Sequence, residues 1–222
     1  RQNGLRPARG KRQKGNRFME ALLAMAIILP FGIFLEFWCC YVGARENRPP
    51  AGHCAAVLVF LCTSAGALAL LGLPSVVDIH PENWDKELNL LPLAPILKNP
   101  AGDVKLILSF VPFGFLWPLA WQETARKTIA AAAGWALCIE LLQLLNWRTT
   151  SLNDWLLNVL GAALGCALFH ALRPRWKALQ VKWDAPARLR REKLFCVLLP
   201  WVSQFVFFPC VTGGLTSFSF AG

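Results

Sequence analysis

The sequence is short of charge, because only 16% of its 222 residues are Asp, Glu, Lys or Arg. A soluble domain of this size usually carries about a quarter charged residues, so a soluble globular protein is disfavoured. Hydrophobic residues make up 55% of the chain, and the mean hydropathy is +0.42. Several apolar stretches reach the roughly 20 residues that a helix needs to cross a bilayer. The composition therefore predicts an all-α fold, a polytopic transmembrane helical bundle with five to six apolar segments.

The sequence also lacks the spacings of metal and disulfide sites. Its eight cysteines form no CxxC pair, and no Cys/His pattern typical of zinc is present. Six of them lie inside apolar runs, where cysteine usually acts as a small buried hydrophobe: Cys39, Cys40, Cys62, Cys138, Cys166 and Cys196. We expect no disulfide framework, no metal and no cofactor. The first apolar run has no small-residue cleavage site, so a cleaved signal peptide is not expected either.

The formal net charge of +10 is concentrated in two basic blocks, at 1–17 and 173–193. Basic blocks bind nucleic acid in some proteins. Both blocks flank apolar segments here, however, and in that position Lys and Arg set membrane topology and contact anionic lipid. Membrane lipids are therefore the expected partners, and nucleic acid is not.

Apolar segments are found at 18–44, 53–77, 105–122, 127–146, 151–172 and 194–212. They divide the chain into a basic tail (1–17), an additional N-terminal apolar segment (18–52), a membrane core (53–172), a basic cytoplasmic loop (173–193) and a C-terminal transmembrane segment with its tail (194–222). The apolar patch at 88–97 is too short to span, and we expect a loop or re-entrant piece there.

The distribution of Lys and Arg in short loops predicts the side of the membrane on which each loop lies. Arg126, Lys127 and the loop 173–193 are expected inside, and the acidic stretch 78–103 and the turn around Arg148 outside. The first apolar segment is basic on both flanks and contains Pro30 and Glu36. This pattern favours a helix lying in the interface or a re-entrant hairpin, and the alternative is a simple crossing against the charge rule.

Polar residues inside the membrane core are the candidate site. Glu140 and Gln143 are three residues apart, and Asp154 and Asn158 are four apart, so each pair shares a helix face. Arg148 lies in the turn between the two helices, and the hairpin is expected to gather all five residues near the outer interface. Such groups cost roughly 2.5–3.5 kcal/mol each at the membrane centre and are usually functional. They suit an anionic or polyol head group, with Arg148 as a phosphate ligand. The alternative is structural, with Arg148 paired to Asp154 and the amides bonding between helices. No catalytic residue is identified.

Small residues and prolines predict close helix packing beside these groups. Gly161 and Gly165 continue the stripe of Asn158 as a small-xxx-small face. Pro112 is expected to kink the third core segment, where Gly114 allows close approach.

Taken together, these elements resemble the VanZ-like family over about residues 89–165. The resemblance is carried by the run from Asn89 to Pro92, by Phe110, Pro112 and Gly114, by Glu140 and Gln143, and by Arg148, Asp154, Asn158, Gly161 and Gly165. It implies a multi-pass protein of the bacterial cytoplasmic (inner) membrane, in a family of teicoplanin-resistance-associated integral membrane proteins without a settled molecular activity.

The chain departs from the family pattern at Leu106, where Asn is usual, and at Ser151 and Asn153, where Asp is common. The two losses of Asp favour binding or scaffolding over chemistry. Our leading hypothesis is binding of an envelope lipid or lipid-linked head group at the outer polar layer. The alternatives are a non-catalytic accessory subunit of a larger membrane complex, favoured by ten Trp and fifteen Phe, and a lipid-modifying enzyme.

Overall fold

The computed structural model describes residues 7–42, 49–73, 100–143, 151–175 and 186–211. The regular elements in these ranges are helices, which confirms the predicted all-α fold. They are α1 (Pro7–Val42), α2 (Ala51–Leu71), α3 (Pro100–Trp121), α4 (Ala125–Gln143), α5 (Leu152–Leu172) and α6 (Pro186–Val202), which continues through a π-helical turn at Ser203–Phe207. The predicted patch at 88–97 and the turn containing Arg148 lie outside the described residues.

Five stretches of helix are long and apolar enough to cross a membrane. They are Arg17–Trp38, Ala51–Leu71, Pro100–Trp121, Leu152–Leu172 and Arg190–Val211. α4 has 19 residues but carries Arg126, Lys127 and Glu140, which lower its hydropathy. The chain is therefore a multi-pass membrane protein, as its composition predicts.

The hydrogen bonds of α2 establish how the core helices run. Near its start, His53 Nδ1 lies 2.9 Å from the carbonyl oxygen of Ala120, at the end of α3. Near its other end, Lys105 Nζ at the start of α3 donates to the carbonyl oxygen of Leu70 over 2.6 Å. α2 and α3 are therefore antiparallel. We name the two ends of the bundle the histidine end, with His53, and the amide end, with the side-chain amides of Gln143, Asn153 and Asn158.

α3 and α5 form the closest helix pair through the glycines of α5. A Cβ atom on Gly161 would lie 2.1 Å from the carbonyl oxygen of Ile107, and one on Gly165 would lie 2.1 Å from that of Val111. Both contacts advance by four residues on each helix, so the two helices run parallel. In lipid, close packing rather than hydrophobic burial drives helix association, and glycine permits it.

The centre of the bundle is filled by aromatic rings. The Phe60 ring of α2 is fully buried and lies 5.3 Å from Phe113, 5.8 Å from Trp117, 5.0 Å from Trp121 and 6.5 Å from Trp135, between ring centroids. These edge-on contacts join α2, α3 and α4, and edge-to-face rings add about 0.5–1.5 kcal/mol per pair. The cluster therefore fixes the spacing of the helices that carry the polar residues.

The interpretation of the first apolar segment as a hairpin or an interfacial helix was wrong. α1 is one uninterrupted helix that lies lengthwise on α2. A Cβ atom on Gly66 would lie 2.2 Å from Met25 Cε, and one on Gly32 would lie 3.0 Å from side-chain atoms of Leu58 and Leu61. Later residues of α1 contact earlier residues of α2, so the two helices are antiparallel. The basic beginning of α1 therefore lies at the amide end. Side-chain packing thus outweighs the charge pattern.

Candidate functional site

The end of α2 explains two of the polar side chains at the amide end. Gly72 adopts a left-handed φ of 69°, which glycine tolerates without strain. Its N–H donates to the carbonyl oxygen of Ala69 over 3.0 Å, and the N–H of Leu73 donates to that of Leu68 over 3.1 Å. These two hydrogen bonds form a Schellman cap, which satisfies two of the four free carbonyls at a helix end.

The other two carbonyls of that helix end accept bonds from side chains of α3 and α4. Lys105 Nζ donates to Leu70 O over 2.6 Å, and Gln143 Nε2 donates to Leu71 O over 3.1 Å. Gln143 is 3% exposed. The amide nitrogen of Gln143, predicted as a ligand-binding group, is therefore engaged in closing α2.

Glu140 connects α4 to the beginning of α5. Its side chain is 4% exposed, and its Oε2 accepts a bond from the backbone N–H of Ser151 over 3.2 Å. Ser151 is also the N-cap of α5, since its Oγ accepts from the backbone N–H of Asn153 over 3.2 Å. One turn further on, Trp155 Nε1 donates to Ala133 O over 2.9 Å. The α4–α5 pair is thus held by hydrogen bonds at two levels.

Two asparagines of α5 have buried side chains with an unfilled acceptor. Asn153 is 2% exposed and Asn158 is 1% exposed. The Oδ1 atoms of both have no hydrogen-bond partner among the described residues. A buried polar group without a partner costs roughly 1–3 kcal/mol, so these two atoms are the strongest sign of a site in the bundle.

The structure places four of the five predicted site residues at the amide end. Glu140, Gln143 and Asn158 are buried, and Asp154 is partly exposed. Asn158 lies seven residues beyond Ser151, which is about 10 Å deeper along the axis of α5. These polar groups are therefore spread along the helix axis and do not lie in the one layer that was predicted. Arg148 lies outside the described residues.

The predicted packing glycines, Gly114, Gly161 and Gly165, lie at the contact between α3 and α5. A Cβ atom on Gly114 would lie 1.9 Å from the carbonyl oxygen of Ala162, so α5 touches the backbone of α3 there. Pro112 and Pro118 lie inside α3, which continues through both. Each proline lacks an N–H and so leaves a carbonyl of the preceding turn without its helical donor.

Sequence reasoning missed Asp103, Lys105 and Asn153. Asp103 lies in the first turn of α3, and its buried Oδ2 has no hydrogen-bond partner among the described residues. Lys105 carried a usable signal, because a lysine at the start of an apolar span needs an acceptor or an exit to water. Asn153 was noted only as a departure from the family pattern.

A second buried polar group lies at the histidine end, and sequence reasoning also missed it. His53 Nε2 and Glu192 Oε1 are 2.7 Å apart, with both side chains at most 2% exposed. Close by, Glu123 pairs with Lys193 and, over 3.2 Å, with Lys127. His53 and Glu192 are 139 positions apart in the chain, so no local pattern could have paired them. This group ties α6 to α2.

Comparison with known proteins gives a family. The family model VanZ/LLP1 matches residues 54–173, from the first turn of α2 to the residue that follows α5. The match includes every predicted site residue and excludes α1 and α6. Comparisons with curated proteins and with solved structures found no match. Since the family model covers more than half of the chain, the protein belongs to the VanZ/LLP1 family.

Proposed function

We propose that this protein binds the head group of an envelope lipid or lipid-linked precursor at the amide end of its bundle. The observation that carries the proposal is the pair of buried asparagines whose Oδ1 atoms have no partner among the described residues. Both residues lie in the first two turns of the span Leu152–Leu172, toward the end of the bundle where lipid head groups are expected. A ligand group that hydrogen-bonds there removes the cost of leaving these acceptors unfilled.

In this proposal the amide end faces the outside of the bacterial cytoplasmic membrane. The support is the charge rule, since Arg126 and Lys127 begin α4 at the histidine end. Glu140 and Asp154 contribute carboxyl groups at the amide end. Gln143 holds α2 in place, and Arg148 remains a proposed contact to the ligand.

The test is the amount of co-purified lipid, measured by native mass spectrometry after gentle detergent extraction. We expect Asn158→Leu and Glu140→Gln each to lower retention severalfold, because each removes or neutralises an acceptor. Gln204→Leu is the matched control: Gln204 is also 4% exposed with an unpaired Oε1, but it lies in the π-helical turn. Equal lipid retention in all three variants would contradict the proposal.

The second candidate function is an accessory subunit of a larger membrane complex, and one surface favours it. α1 and α6, the helices outside the family match, enclose a groove of about 610 Å³. Its walls are Phe31, Phe34, Leu35, Trp38, Phe195, Leu198, Leu199 and Val202. An aromatic groove open to the membrane is suited to an apolar helix of a partner.

Gentle purification separates this candidate from lipid binding alone. A subunit is expected to co-purify with other transmembrane chains and to lose them in a Phe34→Ala/Trp38→Ala variant. Recovery of this chain by itself from the native membrane, at wild-type yield, counts against the subunit.

A further inference from the structure

A small cavity lies inside the bundle, between α2, α3 and α4. Its volume is about 10 Å³. Its wall includes Thr63, Ser64 and Ala67 of α2, Ser109 of α3 and Trp135 of α4, and polar atoms form part of it. A cavity needs roughly 10–15 Å³ and a few polar partners to hold one water molecule. The cavity therefore has the size and the chemistry of a site for a single water.

This cavity lies deep in the membrane-spanning part of the helices. Ser64 precedes the end of α2 at Leu71 by seven residues, and Ser109 follows the start of α3 at Pro100 by nine. At 1.5 Å per residue, both positions are roughly 10–14 Å from the amide end. Polar groups at this depth are out of reach of bulk water, so they need partners inside the protein.

The three hydroxyl-bearing residues of the wall differ in their hydrogen bonds. Thr63 Oγ1 donates to the carbonyl oxygen of Val59 over 2.8 Å. Ser109 Oγ donates to that of Lys105, also over 2.8 Å. Both hydroxyl groups have thus used their proton and keep lone pairs that can accept. Ser64 is 6% exposed, and its Oγ has no hydrogen-bond partner among the described residues.

We propose that one water molecule occupies this cavity and joins α2 to α3. It accepts a bond from Ser64 Oγ and donates to Thr63 Oγ1 and Ser109 Oγ. Both protons of the water are used in this arrangement, and it makes three hydrogen bonds, the usual number for a buried water. The buried Ser64 hydroxyl gains the partner that it needs. This water site is separate from the amide end and does not depend on lipid binding there.

The direct test is a structure of the full-length wild-type protein in nanodiscs, at a resolution that shows ordered waters. We expect an isolated density peak within hydrogen-bond distance of Ser64 Oγ and Ser109 Oγ. An empty cavity, with the Ser64 hydroxyl bonded to a carbonyl of its own helix, would overturn the inference. So would density that continues into a lipid chain.

Thermal unfolding tests the bond to Ser64 independently. Ala67→Val adds two methyl groups at the cavity wall and displaces the water, which leaves the Ser64 hydroxyl without a partner. In that background Ser64→Ala breaks no bond, whereas in the wild type it removes a hydrogen bond to the water. We expect Ser64→Ala to lower the unfolding temperature by about 2–4 °C more in the wild type than in Ala67→Val. The preference of alanine for helices contributes equally in both backgrounds and cancels.

Ser203→Ala is the matched control for this comparison. Ser203 is a buried serine of the π-helical turn and does not line the cavity. Its replacement should shift the unfolding temperature by the same amount in the wild type and in Ala67→Val. If Ser64→Ala also has the same effect in both backgrounds, Ser64 does not bind a water and the inference is wrong.

Discussion

At the scale of single residues, the glycines between α3 and α5 have no room for a side chain. The Cβ of an alanine at position 161 would lie 2.1 Å from the carbonyl oxygen of Ile107. Backbone cannot yield as the tip of a flexible side chain can, so the helices must separate. The four-residue spacing of Gly161 and Gly165 predicted a close approach, and the structure identifies α3 as the helix that makes it.

We expect Gly161→Ala to destabilise the protein by about 1–3 kcal/mol through overpacking. The measurement is thermal unfolding in detergent, followed by size-exclusion chromatography. Gly134→Ala is the control: a Cβ there meets nothing within 4 Å, and the helix should gain about 0.5–1 kcal/mol. If both alanine variants unfold at the same temperature, the α3–α5 contact is looser than described.

The His53–Glu192 pair predicts a second residue-scale effect. His53→Leu leaves the buried Glu192 carboxyl group without its partner, which typically costs about 3–5 kcal/mol. The double variant His53→Leu/Glu192→Met removes both polar groups and should recover most of that loss. Thermal unfolding of the two single variants and the double variant measures the coupling. Additive losses would show that the two side chains do not interact.

Glu123 predicts an acid-dependent contribution to stability. Partial burial raises the pKa of this carboxyl group, but hydrogen bonds and charge attraction from Lys193 and Lys127 outweigh burial and hold its pKa below the ordinary 4.5. Because the folded-state pKa is lowered, the stabilisation is complete above pH 4.5 and is lost as pH falls through the native pKa.

In Glu123→Gln, this part of the pH dependence should disappear. The unfolding temperature of the wild type is expected to drop more than that of the variant between about pH 6 and about pH 3.5, by an amount equivalent to less than about 1 kcal/mol, since the group is partly exposed. Parallel curves for the two proteins would contradict a role for the lysine contacts.

At the scale of helices, α1 shows where charge and packing disagree. Seven basic residues precede its apolar part, which by the charge rule should keep its beginning inside. Met25 packs against Gly66 instead, and the Phe31 ring lies 4.7 Å from that of Phe207. Contacts along two neighbouring helices fix the direction of α1, whereas the charge rule concerns only its flanks.

We therefore expect a cysteine at position 13 to react with a membrane-impermeant maleimide in intact spheroplasts. The measurement uses Gln13→Cys in a background without native cysteines. Ala101→Cys, at the exposed start of α3, is the matched position expected on the same side. Labelling of position 101 but not of position 13 would mean that α1 does not cross antiparallel to α2.

At the scale of the whole molecule, the two ends of the bundle have different chemistry. The histidine end carries ion pairs and the short α3–α4 connection, where Gln122 has a φ of 52°. The amide end carries unfilled acceptors. α6, outside the family match, supplies Glu192 and Lys193 to the histidine end, and α1 and α6 together form the aromatic groove on one flank.

For the molecule as a whole, we predict that the two ends of the bundle are exposed on opposite sides of the membrane. Gln122→Cys should be labelled only after the spheroplasts are permeabilised, because Arg126 and Lys127 follow it directly. Ala101→Cys should be labelled before permeabilisation. The reverse result would place the amide end in the cytoplasm and would exclude an outer-leaflet ligand.

The sequence by itself determined that the chain is a helical membrane protein, and it determined the family. Hydropathy and length are local properties, so helices such as α2 and α5 could be predicted without knowing their neighbours. The faces of Glu140 with Gln143 and of Asp154 with Asn158 followed from helical periodicity in the same way.

Only the tertiary structure decided which groups meet. Gln143 closes α2 because a carbonyl 72 positions away lacks a donor, and the direction of α1 depends on contacts with α2 and α6. The unfilled oxygens of Asp103, Asn153 and Asn158 could not be recognised from sequence, since any polar residue can find a partner in some fold. Hydrogen bonding between distant segments is a property of their arrangement, and local sequence does not encode it.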